Sequence, residues 1–314
     1  MEKIFTESLY AHVNEEIISY FMVAQKELRE GNKSKYIRLR LADSSGTVAA
    51  NIWNNAAHFN KEFEEGDIVK IKGIVITYKD QVQVTVNKIR KADDNEYDLS
   101  EFIPKTKKDV NELSDQLFGY IDSIDDEPLR TLLTNIFEDK DIYALFMRSP
   151  AAKSWHHNYM GGLLEHTVSV AKICDFSAKM YPVQRDLLIT GAILHDIGKI
   201  YEYNMKTAID FTTMGRLIGH IPLGDQLITE TAAKINLFPK NTLMKLRHLI
   251  LAHHGEYEKA SCRLPQTVEA VVLHFADNLD AQTIGVRQLV EVAEKTDAEW
   301  TEYDRMNNRY FYLG

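Results

Sequence analysis

The pattern of apolar and polar positions changes period once along the chain. From about residue 17 to 90 the two kinds alternate, the period of strands with one buried face. In "KYIRLRLAD" (35–43), Ile37, Leu39 and Leu41 share one face and Tyr36, Arg38 and Arg40 the other. In "TVAANIW" (47–53), Val48, Ala50 and Ile52 alternate with Ala49, Asn51 and Trp53. "DIVKIKGIVI" and "DQVQVTV" repeat the pattern, while "DSSG" (43–46) and "KDQ" (79–81) have the composition of hairpin turns. "NNAAHFNKEF" suits one short helix between the third and fourth strands. Five strands with a helix after the third is the order of a small all-β OB-type barrel.

Residues 91–109, "KADDNEYDLSEFIPKTKKD", are polar and weakly periodic, and read as a linker. From about 110 the period becomes 3.6. Helices are expected at 110–123, 126–138, 141–148, 160–180, 184–198, 215–236, 240–254 and 265–281. The expected architecture is therefore multidomain: a barrel over 1–90, a linker over 91–109 and an all-α domain over 110–314.

Composition adds compartment and charge. The chain has 314 residues, 45% hydrophobic and 26% charged, as for two soluble domains. Its two cysteines, Cys174 and Cys262, have no paired spacing, which excludes a disulfide framework and fits a reducing compartment. The N-terminus lacks the basic and apolar regions of a signal peptide, and no apolar run approaches ~20 residues. A cytoplasmic protein with no membrane partner is expected. Residues 1–90 carry 13 Lys+Arg against 12 Asp+Glu, the remainder 24 against 34. Such a split suggests two domains with different tasks.

The stretch "AILHDIGKI" (192–200) raises a chemical question. An apolar helix over 184–198, ended by Gly198 as its stop, would carry His195 and Asp196 into the edge of the core. Burying an unpaired carboxylate costs several kcal/mol or more. Nine of eleven histidines fall between 156 and 274. "GGLLEHT" contains His166, "LIGHIP" His220, "LAHHG" the pair His253 and His254, and "LHFADNLD" Asp277 and Asp280. Imidazoles and carboxylates at the inner ends of several helices make a metal cage. One such histidine is more often a satisfied core residue, the reading preferred for His248 and His274; His12 and His58 are expected at the surface. The ordered set of His, His-Asp, His, His-His and Asp is hard to obtain by packing alone.

In that order, His166, His195–Asp196 and Asp277 resemble the H…HD…D signature of the HD metal-dependent phosphohydrolase superfamily. His220, His253 and His254 match the added ligands of its two-metal members. With the barrel in front, and with "WHHNYMGGLLEHT" and "LHDIGK", the chain resembles the YhaM-type 3′→5′ exoribonucleases. No GYP follows the paired histidines, which speaks against cyclic di-GMP hydrolysis. The resemblance implies one metal on His166, His195, Asp196 and Asp277, and a second on Asp196 as a bridge, His220, His253 and His254. Ions about 3.5–4 Å apart clamp the attacking and leaving oxygens of an in-line displacement. The histidine-rich shell favours Mn²⁺, Fe²⁺, Co²⁺ or Zn²⁺ over Mg²⁺, and the resemblance selects Mn²⁺.

Further candidates stand beside their plainer readings. Lys199 suits a non-bridging phosphate oxygen, or is a lysine just past a helix end. His157 suits substrate contact or proton donation, or a structural role. Gly161 and Gly162 suit close approach at a helix start, and Arg216 a phosphate or solvent. On the barrel, Tyr36 and Trp53 suit base stacking, with Arg38, Arg40, Asn51, Lys33 and Lys35 around them, or form a solvated face. RNA as the single strand, with single-stranded DNA as an alternative, comes from the resemblance. The aromatic run Tyr310, Phe311, Tyr312 before Leu313 suits a contact surface, for which a homo-oligomer is the expected use. The readings to be separated are an exoribonuclease releasing nucleoside 5′-monophosphates, an HD phosphohydrolase of nucleotides or cyclic nucleotides, and a nucleic-acid-binding factor with a non-catalytic HD domain.

Overall fold

A computed structural model describes residues 3–31, 34–78, 81–153, 155–205, 209–294 and 298–314. The chain divides into two compact units, Met1–Lys105 with Met205–Ile209, and Thr106–Asn204 with Asp210–Gly314.

The first unit is a closed barrel of β1 (Glu16–Glu30), β2 (Lys35–Asp43), β3 (Gly46–Ile52), β4 (Ile68–Tyr78) and β5 (Gln81–Lys91), in the order β1-β2-β3-β5-β4. A short α1 (Ala56–Phe59) follows β3. Only β3 and β5 pair in parallel among the described residues. Closure depends on β1, which pairs with β4 over Glu16–Met22 and with β2 over Met22–Glu30. A bulge between Val23 and Gln25 bends it from one partner to the other. A second irregularity falls at Gly73, where a Cβ would run into the Thr85 carbonyl. The alternation has its expected outcome: Ile37, Leu39, Leu41, Val48, Ala50 and Ile52 are buried. Asp43 fixes the first hairpin turn by accepting from Ser45 N (2.9 Å) and Thr6 N (2.8 Å). Of the other expected turn, Lys79 and Asp80 lie outside the described residues.

The stretch expected as a linker instead packs on the barrel as far as Lys105. Ala92 and Phe102 are buried with Ile68. Arg90 grips Glu96 through two hydrogen bonds of 2.6 Å. A few apolar residues without period and the Glu96 ion pairs hold this segment, so its polar composition reads as loose chain.

The second unit is helical: α2 (Val110–Asp122), α3 (Glu127–Phe137), α4 (Lys140–Arg148), α5 (Gly162–Ala178), α6 (Arg185–Leu194), α7 (Lys199–Glu202), α8 (Thr213–Leu217), α9 (His220–Ala233), α10 (Lys240–Ala252) and α11 (Val268–Ala293). Asp109, Asp126 and Asp139 cap α2, α3 and α4 through their carboxylates. Every residue of α6 from Leu187 to Leu194 is buried, and α6 packs against α5, α10 and α11.

Three helices depart from expectation. The one expected over 184–198 stops at Leu194, and the one over 215–236 breaks at Gly219 into α8 and α9. The last runs on past 281 to Ala293. It passes through Gly285, where the Trp155 ring occupies the space of a Cβ. A two-stranded hairpin of β6 (Tyr203–Met205) and β7 (Ile209–Phe211) follows α7 in the chain; three-residue strands are too short to show a period.

Lys3 offers a test of the barrel's packing. Its ammonium donates to the Glu101 carbonyl (2.8 Å) and lies 3.6 Å from the Phe102 ring centre. Burial lowers its pKa from 10.5 to about 8, against the opposing pull of Asp43 and Glu101. Between those two values the unfolded chain binds more protons than the folded one, so barrel stability rises with pH across that window. Denaturant midpoints followed from pH 8 to 10.5 should climb in the parent and climb less in Lys3→Met. Equal slopes would refute the buried ammonium.

Candidate metal centre

Four helix ends and two helix faces converge in the second unit. His166 lies in the second turn of α5, and Asp277 on α11. His195 and Asp196 occupy the tight turn between α6 and α7. His220 opens α9, and His253 and His254 follow α10. Gly255 is a left-handed helix stop (φ 74°), with the His274 ring against its Cα. Gly198 is not the stop that was expected: its φ is −65°. A Cβ there would strike the His220 carbonyl oxygen, so its role is to let the start of α9 approach Asp196.

The outer nitrogens decide what the inner ones offer. His195 Nδ1 lies 2.8 Å from the Ala192 carbonyl, His253 Nδ1 2.7 Å from that of Ile250, and His254 Nδ1 2.7 Å from that of Lys259. A carbonyl only accepts, so Nδ1 carries the proton and Nε2 presents a lone pair. Carboxylates do the same for His166 (Asp280, 2.7 Å) and His220 (Glu202, 3.1 Å).

The Nε2 atoms meet Asp196, which is 2% exposed. Its Oδ1 lies 3.5 Å from both His220 Nε2 and His253 Nε2. Its Oδ2 lies 3.3 Å from His195 Nε2 and 3.6 Å from His166 Nε2. Asp277 Oδ1 is 3.1 Å from His166 Nε2. The ligand atoms thus form two groups, His166/His195/Asp277 and His220/His253/His254, each within 4.8 Å, one on either side of Asp196. All seven residues singled out as metal ligands come together.

This donor set fits cations. Asp196 Oδ1, His220 Nε2 and His253 Nε2 are buried without any hydrogen-bond partner. Each such atom costs about 1–3 kcal/mol, and lone pairs facing a carboxylate cannot satisfy one another. Burial lowers the pKa of His253, and that of His254 to about 3, so both remain neutral donors. Burial alone would raise the Asp196 pKa; Lys199, His195 and His253 outweigh it and hold the carboxyl well below its usual range. Burial would lower His166, but its bonds to Asp277 and Asp280 prevail and lift it to about 9.

The remaining candidates separate. Lys199 is buried, 2.6 Å from Asp196 Oδ2. It lines a pocket of about 400 Å³ with His156, Asp196, His254, Asp277 and Met306. His157 does not face this pocket. Both its nitrogens are engaged, by Tyr159 OH (2.8 Å) and Asp280 (2.9 Å), so it braces the carboxylate that orients His166. Substrate contact at His157 is therefore corrected. Its neighbour His156, missed in the sequence, has both ring nitrogens buried and unpartnered, with its ring 5.1 Å from that of His166. The left-handed backbone at His157 (φ 50°) separates two adjacent histidines that look equivalent in sequence. Asp280 and Glu202 were also missed as ligand supports; Asp280, one turn beyond Asp277 on an apolar face, was the available signal. Gly162 permits close approach, since a Cβ would strike the His157 carbonyl. Arg216 pairs with Asp210 at 3.0 Å. His248 accepts from Gln266 N (2.9 Å).

On the barrel, Tyr36 and Trp53 stack on each other, with centroids 4.7 Å apart and planes at 25°. They form one platform rather than the two expected. Arg38 and Arg40 are exposed with no acidic partner among the described residues, Asn51 contacts Gln83 (3.4 Å), and Lys35 pairs with Glu30 (3.6 Å). Lys33 lies outside the described residues.

Comparison with known proteins agrees with this division. The HD domain family matches residues 163–282, and the OB-fold nucleic acid binding domain family matches 22–92. The 3′-5′ exoribonuclease YhaM of Bacillus velezensis is 31% identical over 304 residues, 96% of this chain and 95% of that one. The chain belongs to the YhaM family. Among solved structures, the second OB-fold domain of replication protein A from Methanococcus maripaludis is similar to 26% of the chain, with 87% of its own length covered, 22% identity and a TM-score of 0.22. The HD domain is metal-dependent, and in this YhaM family member the groups flanking Asp196 have donors that could hold a metal ion.

Two substitutions test the centre. Asp196→Asn keeps the shape but removes the charge shared by both groups, and should abolish metal uptake. Asp280→Ala leaves the ligands in place and should weaken affinity about 10- to 100-fold, the usual cost of losing a ligand's hydrogen-bonded support. Calorimetric titration with Mn²⁺, with circular dichroism as a check on folding, reads both. Parent-like affinity in Asp196→Asn would refute the site.

Proposed function

We propose that the protein is a 3′→5′ exoribonuclease, whose barrel holds single-stranded RNA while the helical unit releases nucleoside 5′-monophosphates from the 3′ end. The observation that carries this reading is Asp196, whose two oxygens face two separate ligand groups, in a chain related along nearly its whole length to a YhaM exoribonuclease. His166, His195, Asp196 and Asp277 would hold one divalent ion, and Asp196, His220, His253 and His254 a second. Mn²⁺ is proposed; Fe²⁺, Co²⁺ and Zn²⁺ suit the same donors. When bound, such ions supply Lewis-acid activation of water and neutralise the phosphodiester.

The chain's own residues bind and orient. Lys199 and His156 line the pocket, and their N–H groups suit non-bridging phosphate or ribose oxygens. The brace from His157 through Asp280 keeps His166 in orientation. No serine or cysteine nucleophile is invoked. The polarity, and RNA over DNA, rest on the relative. A phosphohydrolase of free nucleotides is the competing reading, and it leaves the Tyr36–Trp53 platform without a task. A cytoplasmic location is part of the proposal.

Incubation with Mn²⁺ and 5′-labelled single-stranded RNA should produce a ladder shortening from the 3′ end, with nucleoside 5′-monophosphates as the other product. Turnover confined to free nucleotides would overturn the reading. Trp53→Ala should raise KM on a long strand roughly five- to a hundredfold, the worth of one stacked base, leaving kcat and a very short strand unaffected. Adding Tyr36→Ala should cost less than its own single effect, because the two rings form one stack. Equal losses on long and short strands would show that this face does not capture RNA.

A further inference from the structure

The C-terminal segment 299–313 folds back as an irregular hairpin, with bridges Trp300–Tyr312 and Asp304–Arg309. Its inner side is fixed. Thr301 is buried, and its N–H donates to the Phe311 carbonyl (2.9 Å). Asp304 holds the turn by accepting from Asn307 N (2.9 Å) and Nδ2 (2.7 Å). Its outer side presents aromatic rings in two pairs, Trp300 with Tyr312 (centroids 5.0 Å) and Tyr303 with Tyr310 (5.1 Å). Those four side chains are 47–61% exposed.

The turn of this hairpin reaches the metal pocket. Met306 lines the same cavity as His156, Asp196, Lys199 and Asp277. A backbone locked by its own hydrogen bonds thus holds four half-exposed aromatic side chains on a hairpin whose turn residue, Met306, lines the cavity that would receive a terminal nucleotide. Exposed aromatic side chains grouped on one ordered segment mark a binding surface. The bases next to the scissile nucleotide are flat and carry a π-face whatever their identity, and stacking on aromatic side chains is the sequence-tolerant way to hold them.

We propose that this hairpin is a base-stacking arm, which holds the bases adjoining the 3′-terminal nucleotide while its phosphodiester lies in the metal pocket. The proposal rests on the exoribonuclease reading above. It assigns Trp300, Tyr303, Tyr310 and Tyr312 to substrate positioning, a role separate from the barrel platform and needed even by strands too short to reach the barrel.

The test compares the full-length parent with Trp300→Ala/Tyr312→Ala on two short RNAs, one ordinary and one with abasic ribose at the positions next to its 3′ end. On the ordinary strand the variant should show KM raised roughly five- to a hundredfold with kcat retained. On the abasic strand, parent and variant should have the same raised KM. Trp300→Phe/Tyr312→Phe, which keeps the rings, should restore the parent KM. Equal losses on both strands would make the hairpin merely structural and overturn the proposal. An unchanged KM accompanied by a lower mass in light scattering would overturn it in favour of contact between copies of the chain. Fluorescence anisotropy of a labelled short RNA in EDTA reads the arm without hydrolysis. If the parent cleaves neither strand, the exoribonuclease reading fails, while weaker binding by the alanine variant would still support the arm.

Discussion

A carboxylate almost sealed from water, with imidazoles on both of its oxygens, sets the terms for the helical unit. Asp196 is 2% exposed and has one oxygen with no hydrogen-bond partner. Lys199 answers part of its charge through Oδ2, at 2.6 Å. Nothing in the described structure answers Oδ1 except two nitrogens that themselves lack partners. A divalent cation is the ligand that removes all three debts together. Much of the surrounding architecture brings these atoms close: α6 is buried on every side so that its end lies within the core, and Gly198 lets the first residue of α9 approach that end.

The histidines are oriented by a feature intrinsic to helices. The last carbonyls of a helix have no N–H of their own to accept. His195 uses the carbonyl of Ala192 in this way, and His253 that of Ile250, each three residues back. The bond satisfies an otherwise orphaned acceptor, fixes the ring and places the proton on Nδ1. Two helices therefore end at the centre with their negative dipole ends and an unprotonated Nε2 directed at the same point, an arrangement that favours a cation. His166 and His220, at the other ends of their helices, have no such carbonyls and use the Asp280 and Glu202 carboxylates instead.

This explains which parts of the centre are legible in the sequence. Histidines at the ends of apolar helices stand out, because an apolar run followed by His-Asp or His-His has no packing rationale. The supports do not stand out. Glu202 follows "GKIY" with nothing to separate it from a surface acid, and Asp280 reads as the far end of "DNLD". His156 and His157 are indistinguishable until the backbone turns left-handed between pocket and core. The barrel is legible because alternation with a buried face has one solution. Its extension through Phe102 is not, since Glu96 and its three cationic or phenolic partners, Arg90, Lys70 and Tyr20, do the holding there. Glycine misleads too: Gly198 reads as a helix stop, and it is there for the neighbour that sits where a Cβ would be.

The charge balance then bears on how an acidic protein holds a polyanion. Net charge alone argues against it, since the residues beyond 90 carry ten more acids than bases. Local pairing matters more. On the barrel Lys26, Arg29, Lys35, Lys70, Lys72, Arg90 and Lys91 are all committed to carboxylates. Such pairs present little field to a ligand. Arg38 and Arg40 carry no such partner among the described residues, and they share their strand face with the Tyr36–Trp53 stack. A strand that meets two uncommitted guanidinium groups beside an aromatic platform gains charge contacts without first breaking an ion pair.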